Sequence, residues 1–179
     1  LRQQAVSLAF STYRANRLLF LSVDEQPNPS LKLHERLFDR PMGLHVAGES
    51  IWMATRCQLW RLDNLLAPGE LHEGGDRLYV PAASYTTGDI NAHELVLGPD
   101  GQPIFVNTAF SCLAGIAPGG SFARTWAPAA AAAAPASPRR HRRQLHHRDP
   151  TGTSTPPSPS LHGYLIQPQD PTALRAANN

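Results

Sequence analysis
The chain has 179 residues and a mass of 19.5 kDa, with 41% hydrophobic, 17% charged and 7% aromatic residues, enough for one domain with a real core. No stretch approaches the roughly 18 consecutive apolar residues of a membrane helix, and two cysteines, Cys57 and Cys112, make neither a disulfide scaffold nor a C-x-x-C metal site. The formal charge of +2 is unevenly spread: from Ala127 onward six Lys/Arg face two acids, whereas ten face twelve before it, so the basicity belongs to the tail.

In chain order, residues 3–10 open with a helical turn or a frayed strand. Residues 18–23, 50–55 and 103–108 are the clearest strands, each an apolar run too short for a helix and bounded by Gly, Pro, Asn or Asp. Weaker strands are expected at residues 44–47, 58–62, 77–81, 94–97, 112–116 and 122–126. Such spacing, with turn signals between short runs, predicts an all-β domain over residues 1–128. Residues 129–179 differ: they hold a six-alanine run (Ala129 to Ala134), a Ser/Thr/Pro stretch and a single aromatic residue, Tyr164. Their burial cannot offset an ordering cost of about 1–2 kcal/mol per residue, so a disordered tail is expected.

The β region repeats. Gly48-Glu-Ser-Ile-Trp-Met-Ala-Thr55 aligns with Gly101-Gln-Pro-Ile-Phe-Val-Asn-Thr108, pairing Gly with Gly, Ile with Ile, Trp with Phe and Thr with Thr. Each unit reads as strand, tight turn, strand, turn, strand and a more variable outer strand. A period near 40–50 residues with four strands is the signature of propeller blades. The first 128 residues then supply about two to three blades, fewer than the 4–8 of closed rings. A sandwich with two similar hairpins is the competing architecture. If nothing follows the last strand, an open sheet edge predicts marginal stability and association.

Arg40-Pro-Met-Gly-Leu44, the run from Ile51 to Leu62, Asp76-Arg-Leu-Tyr-Val-Pro81, Tyr85-Thr-Thr-Gly-Asp89 and Phe105-Val-Asn-Thr-Ala-Phe-Ser-Cys-Leu113 closely resemble an uncharacterised, conserved-hypothetical bacterial family, a domain of unknown function sometimes found beside tetratricopeptide repeats. The resemblance covers about Ala9 to Pro128 and implies a β-propeller of roughly twice this length, with no activity attached. His93-Glu94 stands where the family usually has His-Asp. Beyond Pro128 the resemblance stops, and the tail reads as out-of-frame translation of a GC-rich gene in preference to an evolved basic arm. Sequencing the encoding DNA through that codon separates the two.

In a propeller the loops entering the innermost strands and the turns between second and third strands open on one face around the channel. That face receives Arg40, Met42, Arg56, Asp89, Asn91, His93, Glu94, Asn107, Thr108 and Ser111. Arg40 and Arg56 suit a carboxylate or phosphate ligand. His93, Glu94 and Asn107 are candidate ligands for a divalent metal ion, although adjacent strand residues point to opposite faces unless the strand bends. Capping and loop hydrogen bonds are the plainer roles for His93, Glu94, Asn107, Thr55 and Thr108. Trp52, Phe105, Trp60 and Trp126 are expected in packing between blades, and the cysteines as small buried hydrophobes.

The expectation is therefore a noncatalytic β-propeller binding or scaffold module, taking an unidentified small molecule or protein. The alternative is a metal-assisted propeller hydrolase or lyase with its site at the channel face. Nucleic acid is disfavoured, because the Arg139-Arg-His-Arg-Arg143 cluster lies in the tail without interleaved aromatics. The expected compartment is the cytoplasm, with the native N-terminus left open by a chain that starts at Leu1.

Overall fold
The structure is a computed structural model and describes residues 6–23, 30–129 and 161–166. Its elements are all strands: β1 (Ser7–Thr12), β2 (Arg17–Val23), β3 (Leu31–Leu37), β4 (Leu44–Ala47), β5 (Ser50–Ala54), β6 (Gln58–Asn64), β7 (Tyr79–Thr86), β8 (Ala92–Leu97), β9 (Pro103–Asn107), β10 (Cys112–Gly115), β11 (Ala123–Trp126) and β12 (Leu161–Ile166). They form three four-stranded antiparallel sheets, ordered β12-β1-β2-β3, β4-β5-β6-β7 and β8-β9-β10-β11. No helix of the described residues is long and apolar enough to cross a membrane.

The all-β expectation holds, and the three clearest strands fall within a residue of their expected bounds. The internal repeat marks equivalent hairpins. Gly48 in the β4–β5 turn (φ 57°) and Gly101 in the β8–β9 turn (φ 73°) both take the left-handed conformation that glycine adopts without steric cost. Residues 3–10 resolve, from Ser7 on, into strand β1, because β2 and β12 satisfy its backbone on both sides.

The middle sheet carries the core on both faces. Ile51 and Met53 of β5 join Leu44 and Leu62 against Ala9 and Leu18 of the first sheet. Trp52 and Ala54, with Leu59, face Leu95, Phe105 and Ala114 of the third. A strand buried on both sides needs a continuous apolar run instead of alternation, which is what Ile51-Trp-Met-Ala54 supplies. Phe38 meets Trp60 edge-on at 5.5 Å across the first joint, and Trp52 stacks on Tyr85 at 6.2 Å.

Three expectations need correcting. Trp126 lies on edge strand β11 and is 58% exposed, since no sheet of the described residues covers that side. Strand β3 was not expected, because its charged residues mask a two-residue alternation. The tail expected to be disordered contains β12, which takes the edge of β1 from Ser7↔Ile166 to Thr12↔Leu161; unpaired edge groups of β1 supply the reason. Residues 130–160 and 167–179, where the rest of that expectation falls, lie outside the described residues.

Candidate functional site
One end of all three sheets gathers the turns and loops that hold the candidate residues. These are the β1–β2, β5–β6 and β9–β10 turns, together with the loops 38–43 and 87–91 that enter β4 and β8. Backbone and side-chain bonds link them in succession. Asn16, left-handed at φ 56°, accepts the Arg40 N–H on its Oδ1 at 3.0 Å, and its carbonyl accepts the Phe38 N–H. The Arg56 N–H donates to the Asp39 carbonyl at 3.0 Å, the Thr87 N–H to the Cys57 carbonyl at 2.8 Å, and the Ala109 N–H to the Ile90 carbonyl at 3.2 Å. The Ser11 hydroxyl, fully buried, donates to the Met42 carbonyl. Each entering loop is therefore clamped to the turn before it and the turn after it.

Within this frame the two arginines differ. The Arg56 Nε donates to Asp89 Oδ2 at 3.0 Å, joining the β5–β6 turn to the loop entering β8. The hydrogen bond and charge of Asp89 hold the guanidinium pKa above its ordinary value, so Arg56 stays cationic. Arg40 adopts φ 48° and lays its guanidinium over the Tyr13 ring at 5.7 Å from the centroid, a cation–π contact. Both residues are partly exposed.

His93 and Glu94 lie where the β8–β9 register shifts between Ala92 and Leu95, the bend that adjacent ligands on one strand would require. The same backbone presses on Gly43: a Cβ there would strike the His93 carbonyl oxygen and approach Glu94 Cα. Asn107 closes β9 and is fully buried. Its Oδ1 accepts the Phe110 N–H at 3.1 Å, while its Nδ2 has no partner. The Oδ1 thus keeps one further lone pair, and the unpartnered Nδ2 is a donor, which calls for an acceptor. Among the described residues no three His, Cys, Asp or Glu side chains are grouped to hold a metal ion.

Thr55 and Thr108, matched in the repeat, each donate to a main-chain carbonyl, of Gln58 at 2.9 Å and of Asn91 at 2.8 Å. Asn91 in turn donates from Nδ2 to Thr108 Oγ1 at 2.7 Å. Ser111 is exposed at φ 50°, and Met42 is buried. Sequence reasoning missed Tyr13, Asn16 and Asp39. Of these, Asn16 carried a signal, as an Asn in a short turn between apolar runs that tolerates a left-handed backbone.

Fold and site together define an all-β protein of repeated four-stranded antiparallel sheets with one clamped loop end. The chain belongs to the family described as a domain of unknown function, DUF4915, whose model matches residues 1–151 and so continues past Pro128. No curated protein and no solved structure matches it.

Proposed function
We propose that the chain is a noncatalytic binding or scaffold module built as an arc of a β-propeller, with an anionic small molecule or an acidic protein segment as ligand on the clamped loop end. The observation that carries this reading is the arrangement of first strands. Sheets approach one another through β12 and β4 and through β4, β5 and β8, as blades do around a channel. Arg40 and Arg56, held there by main-chain bonds at their own positions, supply planar donors for a carboxylate or phosphate. Two thiols, Cys57 and Cys112, are compatible with the reducing cytoplasm.

Amide chemical-shift titration with inorganic phosphate and with succinate tests it. Shifts concentrated in residues 38–43 and 55–57, and lost in Arg40→Ala, are expected. Shifts scattered over the surface, or none at millimolar ligand, count against it.

The bend at Ala92–Leu95 favours a second reading, a metal-assisted hydrolase or lyase in which a divalent ion sits at His93, Glu94 and Asn107. That reading requires stoichiometric Mn²⁺ or Zn²⁺ binding that His93→Ala abolishes. It is the weaker one, since among the described residues no three His, Cys, Asp or Glu side chains are grouped to hold an ion.

A further inference from the structure
Arg40 is a long side chain on a backbone that suits glycine. Its φ of 48° lies in the left-handed region, where the Cβ of an L-residue crowds the following carbonyl. Two bonds fix the chain there: Asn16 Oδ1 accepts the Arg40 N–H at 3.0 Å, and the Asp39 carbonyl accepts the Arg56 N–H at 3.0 Å. Neither involves the Arg40 side chain, so both would hold a glycine equally well. The guanidinium lies over the Tyr13 ring, 5.7 Å from its carbon to the centroid, and makes no hydrogen bond or ion pair with a described residue. A cation–π contact on a partly exposed ring offsets at most part of the strain in the backbone. Arg56 differs, since its Nε is engaged by Asp89 and its charge is countered there. Asn16 adds a neutral donor: with its Oδ1 on the Arg40 N–H, its Nδ2 bonds to no described residue.

We infer that Arg40 grips a carboxylate of the ligand, and that Tyr13 is the positioning residue that steers its guanidinium. The inference rests on the anionic-ligand reading above and deepens it. Of the two arginines it gives the ligand contact to Arg40, and it leaves Arg56 to tie the β5–β6 turn to the loop entering β8 through Asp89. The strained backbone then has a reason, because glycine would relieve it only by removing the cation. The class of ligand follows from the donors. An unengaged guanidinium carries one charge on a planar fork of N–H groups, which a carboxylate matches in both charge and shape. A phosphate carries more than one charge at neutral pH and would set the excess beside Asp39, the residue preceding the anchor. Arg14 of the β1–β2 turn already has a partner and does not supply the second cation.

The test titrates succinate, an N-acetylated tetra-aspartate peptide and inorganic phosphate into the full 179-residue chain, read by amide and arginine Nε–Hε chemical shifts. Succinate or the peptide is expected to bind more tightly than phosphate, the tighter of the two telling a small acid from an acidic protein segment. Arg40→Gly should abolish binding, and Arg40→Lys, which keeps the charge and loses the fork, should weaken it about 2–10-fold. Tyr13→Leu should weaken binding about 2–5-fold and remove the ring-current shift of the Arg40 side chain, with the fold retained by circular dichroism; Tyr13→Phe, which keeps the ring, should restore both. In urea, Arg40→Gly should exceed Arg40→Ala by about 2–5-fold in folding constant, since both lack the guanidinium and only alanine keeps the strain. Tighter binding of phosphate, parent affinity in Arg40→Lys or Tyr13→Leu, or equal stability of the glycine and alanine variants overturns the inference. Loop-end shifts that persist in Arg40→Gly refute it alone, whereas a parent whose loop end responds to none of the three ligands refutes the anionic-ligand reading itself.

Discussion

Truncating the fully buried Asn107 leaves the part-buried Phe110 N–H without its acceptor, at the point where the β9–β10 turn is held by a side chain from strand β9. Asn107→Ala is expected to lower stability by about 1–3 kcal/mol in urea titration, the usual cost of an unsatisfied buried donor. Tyr79 gives a pH signature. Its ring stacks on Phe20 at 5.8 Å, and burial raises its phenol above the ordinary 10.0. The unfolded chain then ionises first. The contribution of Tyr79 is fully present below pH 10.0 and is lost as pH rises from there through the raised native value. Tyr79→Phe keeps the ring and removes the titration, so the melting temperature of the parent should fall relative to the variant only above about pH 10. At this scale the sequence made Arg40, Arg56, Asp89 and Asn91 legible by type and repeat position. It did not reveal that Asp89 pairs with Arg56, because 33 residues and a whole outer strand separate them.

Strand β5 and the loop before β4 carry the energetics of the elements. Ile51 and Met53 serve one joint and Trp52 and Ala54 the other, so the apolar run of β5 is explained by burial on both faces. Gly43 is where the loop entering β4 meets the bent backbone of β8. Gly43→Ala is expected to cost about 1–3 kcal/mol by overpacking, read as a lower urea midpoint with an unchanged slope, because the atoms in the way are main chain and cannot rotate aside. The strands β2, β4, β5 and β9 were legible because apolar runs, breakers and the Gly48/Gly101 repeat coincide there. Strand β3 was not, although Leu31, Leu33 and Leu37 alternate with Lys32, His34 and Arg36. Its alternation points its leucines away from the core of its own chain, which a search for a core-facing strand passes over.

For the whole molecule, β12 is the element joining the end of the chain to its beginning. Deleting residues 161–179 exposes the edge of β1, and hydrogen exchange should speed up at those β1 amides that bond to β12 while β5 stays protected. Equal protection of β1 in the truncated chain would show that β12 contributes nothing to the first sheet. The sequence by itself determined the strand-and-turn character, the hairpin repeat, the residues that reach the loop end and the contrast between the β region and its basic tail. All of these depend on local composition, turn chemistry and period, which are written over a few residues at a time. Only the tertiary structure decided that residues 161–166 complete the first sheet, that Arg56 is held by Asp89, that Gly43 lies under the bend of β8, and that the leucines of β3 turn away from the core. Those depend on which distant segments meet, and chain connectivity leaves that open until the sheets pack.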